Sequence, residues 1–327
     1  MYYLETKSRD PYYNLAFEEY VFEKLDRSHA YFLLWQNSNT IVVGKYQNTA
    51  EEINQGVVYE KGIRVARRLS GGGAVYHDDG NLNFTFIVDA GNIEDFQFEA
   101  FVKPVVKTLE KMGVKAEFNG RNDITIDGMK FSGNSQYMKH GRIMHHGCIM
   151  LDSNLASVVD ALRVRAAKFE SKSVKSVRSR VTTINAHTDH KYTMEEFKKL
   201  LLETIEETNH LERLELTEEQ KREVELLRRD KYALWEWNYG KSPEYNMRYE
   251  KKFPSGLVSV YLNAEGGRIR EIHFYGDFFG NGDIHELEAK LKGQALDMSL
   301  EKTLESAGVE NYMAGITAKD IAAMLRG

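Results

Sequence analysis

Three consecutive glycines constrain this chain more than any other feature. Gly71, Gly72 and Gly73 stand inside Arg67-Arg68-Leu69-Ser70-Gly71-Gly72-Gly73-Ala74-Val75-Tyr76-His77-Asp78. A short apolar piece at 62–66 precedes them, and a stronger strand candidate, Leu82-Asn83-Phe84-Thr85-Phe86-Ile87-Val88, follows. Adjacent glycines between two strands cost backbone entropy and add nothing to a core. They fit where the chain turns tightly or where backbone must come close to a ligand, and successive glycine N–H groups can cradle an anion. Arg67, Arg68, Ser70, His77 and Asp78 crowd the same loop. A glycine-rich hairpin with charged flanks is the plainer reading. On its own the loop points to an anionic small-molecule site and to no particular activity.

The 327 residues are 42% hydrophobic and 28% charged, enough for one large core with a smaller domain beside it. The formal net charge is -5, with the signs interspersed. No basic block marks nucleic acid as the main partner. Cys148 is the single cysteine, which excludes an internal disulfide framework and favours a reducing compartment. The start, Met1-Tyr2-Tyr3-Leu4-Glu5, reaches Lys7, Arg9 and Asp10 without an apolar run and does not read as a signal peptide. No stretch approaches the ~20 apolar residues that span a bilayer. The expectation is a cytoplasmic soluble protein.

Along the chain, Phe17, Val21 and Leu25 recur at helical spacing after Pro11. Residues 30–35 and 40–44 read as compact apolar strands. The polar residues 45–48 that follow face either a ligand or solvent. Phe98, Phe101, Val102, Val105, Val106, Leu109 and Met112 describe one helix face, which Gly113 stops. Residues 114–118 and 123–127 alternate as strands around a turn at 119–122, and another strand falls around 147–151. Short hairpins of this kind build an α+β sheet, not β-α-β crossovers. Residues 168–180 carry lysines, arginines and serines without a core-facing period and read as a mobile basic loop. Thr193 with Glu196, and Thr217 with Gln220, stand at capping-box spacing before two charged helices. The aromatic run 232–239 is read as an anchor for the second of these. A linker begins near 241–243. Three strands and three short helices then make a small domain of about 80 residues, near the lower end for independent stability.

Lys130 starts a strand after Gly128, next to Ser132-Gly133-Asn134. A lysine there is usually a surface charge. Asp123 lies across a predicted hairpin, and pairing of the two strands would bring it near Lys130. A lysine can neutralise charge on transferring oxygens, and an aspartate can hold a divalent cation that bridges phosphates. His145-His146-Gly147-Cys148 is weak as a metal motif, since zinc needs three or four ligands and adjacent strand residues point to opposite faces. Cys148 lies in an apolar run and reads as a buried, inert thiol.

Several of these motifs in order resemble one family. The glycine loop, followed by Gly80-Asn81-Leu82-Asn83, is similar to the signature of lipoate–protein ligases. Arg121-Asn122-Asp123 with Lys130-Phe131-Ser132-Gly133-Asn134 is similar to their second signature. His146-Gly147, Ser176-Val177-Arg178-Ser179-Arg180-Val181 and Trp235-Glu236-Trp237-Asn238-Tyr239-Gly240 look like further landmarks. The resemblance, to the lipoate–protein ligase A family of the biotin/lipoate ligase superfamily, covers nearly the whole chain.

That resemblance implies an α+β fold with mixed or antiparallel sheets and flanking helices. A biotin/lipoate ligase-like, class II synthetase-like catalytic domain would span 1–242, and a small α+β domain 243–327. It implies two reactions. Lipoate attacks the α-phosphate of ATP to give lipoyl-adenylate and pyrophosphate. A lysine ε-amine of a lipoyl domain, from a 2-oxoacid dehydrogenase E2 subunit or glycine-cleavage H protein, then takes the acyl group and releases AMP. Carried over by position, Lys130 and Asp123 would be catalytic, Lys130 on the carboxylate and α-phosphate, Asp123 supporting Mg2+ or orienting Lys130. Gly71, Gly72 and Gly73 would approach the acyl-adenylate. Arg68 and Ser70 would border lipoate, and Val75, Tyr76 and His77 the nucleotide. Ser132 and Asn134 would join the binding set. Ser176, Arg178, Arg180 and Thr182 would belong to an adenylate-binding loop. The acyl slot would come from the strands around residues 31–44. Neither nucleic acid nor membrane is implied, and the chain would act as a monomer.

Rival readings remain open at this stage. A cysteine-dependent octanoyl or lipoyl transferase of the same fold would use Cys148 and need no ATP. A non-catalytic lipoate or lipoyl-domain binding protein would release no pyrophosphate. A biotin ligase would prefer biotin over lipoate in direct competition.

Overall fold

The computed structural model describes residues 1–89, 98–118, 122–156, 162, 181–239, 247–297 and 299–326. The chain opens with β1 (Tyr2–Glu5), α1 (Pro11–Lys24), β2 (Tyr31–Trp35) and β3 (Thr40–Val43). Two short helices, α2 (Thr49–Glu52) and α3 (Gln55–Glu60), lead to β4 (Arg64–Arg67), β5 (Val75–His77) and β6 (Asn81–Asp89). Next come α4 (Phe98–Lys111), β7 (Glu117–Phe118), β8 (Asp123–Ile126), β9 (Met129–Lys139) and β10 (Arg142–Met150). Helix α5 (Met194–Glu206), β11 (Glu212–Arg213), α6 (Glu218–Leu227) and α7 (Trp235–Asn238) follow. The last part holds β12 (Met247–Phe253), β13 (Gly256–Glu265), β14 (Arg268–Gly276), α8 (Ile284–Leu291), α9 (Leu300–Ala307), α10 (Val309–Tyr312) and α11 (Ala318–Arg326).

Local chemistry accounts for the helix ends. Asp10 accepts from the Tyr12 N–H ahead of Pro11 at the first turn of α1. Thr193 with Glu196, and Thr217 with Gln220, form complete capping boxes on α5 and α6. Gly113 takes φ +78 just after α4, a conformation that costs glycine little.

The chain divides into two units, and the division does not follow sequence order. One comprises Met1–Val42, Ile53–Ala66 and Val75–Asn238; the other Val43–Glu52, Arg67–Ala74 and Tyr239–Gly327. The glycine loop therefore belongs with the C-terminal residues.

In the larger unit eight strands form one sheet in the order β11-β1-β2-β6-β10-β9-β8-β7. β1 runs parallel to both its neighbours, and the remaining pairs are antiparallel. Alternation separates the two faces. Phe32, Leu34, Phe84, Phe86 and Ile143 pack with Phe101, Val102, Val105 and Leu109 of α4 and Phe197, Leu201 and Ile205 of α5. The opposite face meets α1, whose Glu18 reaches Thr85 of β6 and His146 of β10. His145 points the other way, stacked on Phe101 at 4.7 Å. The smaller unit packs its β12-β13-β14 sheet against α8, α9, α10 and α11. Its core also takes in Tyr46, stacked on Phe278 at 4.9 Å.

Two expectations need correction and one is narrowed. Only Glu117 and Phe118 of the 114–118 segment form a strand; Val114 and Ala116 instead seal the α4 core. The anchor of the 232–239 run is Tyr232, fully buried and donating to Glu19 at 2.6 Å, whereas Trp235 is exposed. Cys148 is half-buried, because its partner on β9 is Gly133, which offers no side chain to cover it. The 119–121 turn and the basic loop at 168–180 lie outside the described residues.

Candidate active site

The glycine loop is assembled around two buried arginines. Arg67 donates to the carbonyl oxygens of Gly44, Lys45 and Gln47 at 2.9, 3.1 and 2.7 Å, and to Thr49 Oγ1 at 2.7 Å. Burial pulls its pKa down to about 10, which leaves it charged at neutral pH. Arg68 donates from Nε to Ser70 Oγ at 3.1 Å, and from Nη2 to the carbonyls of Gly71 and Gly73 at 2.6 and 2.9 Å. The two guanidinium groups satisfy carbonyls that a loop of this shape cannot pair in a ladder. Arg68 and Ser70 thus hold the loop's shape.

The glycines answer to different demands. A Cβ on Gly71 would stand 2.4 Å from the Phe278 carbonyl oxygen. Gly72 adopts φ +89 beneath the Phe279 ring. Nothing lies within 4 Å of a Cβ on Gly73. Packing explains the first and backbone conformation the second. At the third a side chain would meet open space.

On the larger unit, β5 pairs antiparallel with β3. Val75 is half-buried. Tyr76 donates to Asn39 Oδ1 at 2.9 Å, and His77 Nδ1 lies 3.2 Å from Asn37 Nδ2 with its ring against Trp35.

Lys130 Nζ lies 2.7 Å from Asp123 Oδ1, and both side chains are partly exposed. The register explains the meeting. Asp123 pairs with Gly133 and Ile124 with Ser132, but Thr125 pairs with Lys130, which leaves Phe131 as an extra residue. The lysine then lies over Gly133, where an added Cβ would stand 2.9 Å from Nζ. Val181 bridges alongside Lys130, and the Thr182 N–H donates to the Lys130 carbonyl at 2.8 Å. Thr182 Oγ1 is 2.8 Å from His187 Nε2. Lys130, Asp123 and Thr182 are therefore brought together.

Ser132 and Asn134 are not. Both are buried and project to the other face. Asn134 Nδ2 donates to the Asn122 carbonyl at 3.1 Å, and its Oδ1 lies 3.3 Å from His145 Nε2. Ser176, Arg178 and Arg180 lie outside the described residues.

On the lysine's side of the sheet, the pairing register sets Asp123, Gly133, Cys148, Asn83 and Trp35 in one row across five strands. Next to it stands a buried polar network that the sequence reading did not assemble. Trp35 Nε1 donates to Thr85 Oγ1 at 3.0 Å, Thr85 Oγ1 donates to Glu18 Oε1 at 2.6 Å, and His146 Nδ1 lies 2.9 Å from the same oxygen. A signal existed: Asn14 and Glu18 are polar residues four apart on the apolar side of α1. Among the described residues no group of three or more His, Cys, Asp or Glu side chains could hold a metal ion. No helix among them is long and apolar enough to cross a membrane.

Comparison with known proteins identifies the class. Residues 10–206 match the lipoyl protein ligase A/B catalytic domain, and 242–325 the bacterial lipoate protein ligase C-terminus. The lipoate-protein ligase LplJ of Bacillus subtilis is 44% identical over 315 residues, 95% of each chain. The structure of P. falciparum LipL1 in complex with lipoate shares the fold, with a TM-score of 0.77 at 22% identity over 99% of this chain and 97% of that one. A lipoate-protein ligase A bound with ATP superposes with a TM-score of 0.62 at 25% identity, covering 73% and 98%. The chain belongs to the lipoate–protein ligase family, as an acyl-activating, amide-forming enzyme.

Proposed function

We propose that the carboxylate of lipoate attacks the α-phosphate of ATP, giving lipoyl-AMP and pyrophosphate, and that the lipoyl group then passes to a lysine of a lipoyl domain, on a 2-oxoacid dehydrogenase E2 subunit or glycine-cleavage H protein, with release of AMP. The observation that carries this reading is Lys130, its ammonium held by Asp123 over a glycine on a bulged strand. A fixed, partly desolvated cation is what charge building on the α-phosphate and on the departing AMP oxygen requires. Lys130 would serve both steps, and Asp123 would orient it. Gly73, bare without steric need, would let backbone come close to the acyl-adenylate. Arg68 and Ser70 would keep the glycine loop in register, and Thr182 would extend the wall beside Lys130. The acyl chain would lie on the lysine's face of the sheet, toward Trp35.

With Asp123 engaged by Lys130 and no acidic cluster among the described residues, Mg2+ would enter with ATP, held chiefly by phosphate oxygens and water, as this ion often is. The single cysteine supports a reducing, cytoplasmic setting.

The test is intact-mass measurement of an apo lipoyl domain after incubation with the protein, lipoate and Mg2+-ATP. One lipoyl group should be gained, only with ATP, and not by Lys130→Ala. A gain without ATP would replace this reading with direct acyl transfer.

A further inference from the structure

The larger unit carries a buried amide that its neighbours leave half used. Asn83 of β6 is 2% exposed, and Asn81 on the same strand is fully buried. Asn81 Nδ2 donates to Asn83 Oδ1 at 3.3 Å, which engages the carbonyl end of the Asn83 amide. The amide's other end, Asn83 Nδ2, has no hydrogen-bond partner among the described residues. The surroundings explain why. Asn83 pairs with Trp35 on one side and Cys148 on the other, and the indole N–H of Trp35 is itself a donor. Thr85, the next residue on the same face of β6, already accepts from Trp35 and donates to Glu18. Burying an amide N–H without an acceptor is costly, so such a group calls for an acceptor from outside the chain.

Asn83 lies in the row that begins at the lysine. Gly133, over which Lys130 Nζ lies, pairs with Cys148, and Cys148 pairs with Asn83. Cross-strand partners share a face, so the ammonium and the amide stand on one side of the sheet, two strand spacings or about 10 Å apart. Between them the row holds Gly133, which has no side chain, and the half-buried Cys148. An acid whose carboxylate is held at Lys130 and whose chain extends along this row brings its far end over Asn83. In lipoate that end is the dithiolane, whose sulfurs are weak acceptors; in an alkyl acid of equal length it is hydrocarbon. Asn81 Oδ1 is also without a partner among the described residues, but Asn81 pairs with Met150, beyond the last residue of β2, and lies outside the row.

We infer that Asn83 is a specificity-determining residue, donating its Nδ2–H to a dithiolane sulfur and so selecting a cyclic disulfide over a hydrocarbon chain of the same reach. The inference rests on the ligase reading for its substrate. Selection works through both kinds of acid. The sulfur satisfies the buried donor, whereas a hydrocarbon shuts it away from water unpaired. A site built around a hydrogen bond rejects the analogue that lacks the acceptor more firmly than an apolar wall can.

The test compares lipoate with cyclopentylpentanoate, in which methylenes replace both ring sulfurs, by pyrophosphate release in the presence of Mg2+-ATP. The wild-type chain should prefer lipoate in kcat/KM by about tenfold, the order of one hydrogen bond lost with its donor left buried. Asn83→Leu removes the donor and keeps the volume; it should slow lipoate, quicken the carbocyclic acid and bring the two level. A residue with only a folding role would change both acids alike. Should the leucine lower the melting temperature, Asn83→Ala reads the same ratio. Equal use of the two acids by the wild type would assign the amide to water and overturn the inference, and so would a lipoate preference that persists in both variants. Pyrophosphate release with neither acid would bring down the ligase reading and this inference with it; release with both at equal rates would remove only the role of Asn83.

Discussion

Lys130 shares a face with Asp123 only because Phe131 is an extra residue in β9. In an unbroken ladder, residue 130 would share a face with Ser132 and turn its ammonium away from the carboxylate. The bulge sends Phe131 into the core, where it is fully buried, and turns the lysine toward Asp123 and Gly133.

Gly133→Ala tests this geometry without touching a charge. The new Cβ would meet Lys130 Nζ at 2.9 Å and Cε at 3.0 Å, atoms at the far end of a flexible side chain. The fold should absorb the methyl with little change in melting temperature. The ammonium should move by an ångström or so, a displacement that can cost on the order of 100-fold in rate. Comparing thermal melts with pyrophosphate release decides the matter; a large loss of stability would contradict it.

Gly71→Ala and Gly73→Ala should behave as opposites. The first pushes a methyl against the backbone oxygen of Phe278, where overpacking costs about 1–3 kcal/mol. The second enters open space and should leave stability intact while lowering affinity for lipoyl-adenylate. Denaturant titration beside adenylate binding separates the two effects.

Arg67→Met should destabilise the chain by about 2–4 kcal/mol. It strips one donor group from three carbonyls and a hydroxyl in a buried turn, and unsatisfied buried polar groups are costly. Urea unfolding measures the loss, and a change below about 0.5 kcal/mol would show that water replaces the guanidinium.

Cys148→Ser should retain ATP-dependent lipoylation at near wild-type rate. The thiol is half-buried opposite Gly133, and activation through an adenylate gives it no covalent role. Mass spectrometry should find no acyl group on Cys148 during turnover; finding one would revive the transferase mechanism.

The Glu288–His285 pair makes the smaller unit sensitive to pH. Burial raises the Glu288 pKa, but hydrogen bonds from His273, His285 and the Phe274 N–H outweigh it, and the net shift is down from 4.5. Its contribution is present above 4.5 and disappears as pH falls through the lower folded value. The His285 pKa is raised above 6.5, chiefly by its bond to Glu288, so its contribution is complete below 6.5 and fades as pH rises through the folded value. The stability difference between wild type and His285→Gln, read by urea unfolding, should therefore be larger at pH 6 than at pH 8.5.

Much of the sheet and both capped helices were legible because each rests on a local rule: alternation, helical spacing, or a Thr with Glu or Gln three residues on. Asp123 and Lys130 were also legible as strand neighbours. The bulge was not, since nothing in Met129-Lys130-Phe131-Ser132 states which residue will be extra; burial of Phe131 settles it. The face assignment of Ser132 and Asn134 depends on the same event. Glu18, Thr85, Trp35 and His146 lie far apart in sequence and meet only through the sheet register and the seating of α1. The placement of the glycine loop with the C-terminal residues is likewise a tertiary fact, carried by Tyr46 and by the Phe278 carbonyl.

That last placement bears on how the chain is made. The strands that carry Lys130 and Asp123 have left the ribosome by mid-synthesis, and their partners in the large sheet with them. The glycine loop has emerged earlier still, yet the backbone oxygen that presses on Gly71 and the ring that presses on Gly72 belong to Phe278 and Phe279. Vectorial folding, which favours the N-terminal parts, must leave the loop without its backing until Phe278 and Phe279 have been made. A nascent chain stalled before Phe278 would carry the Lys130–Asp123 hairpin and lack the residues that press on Gly71 and Gly72.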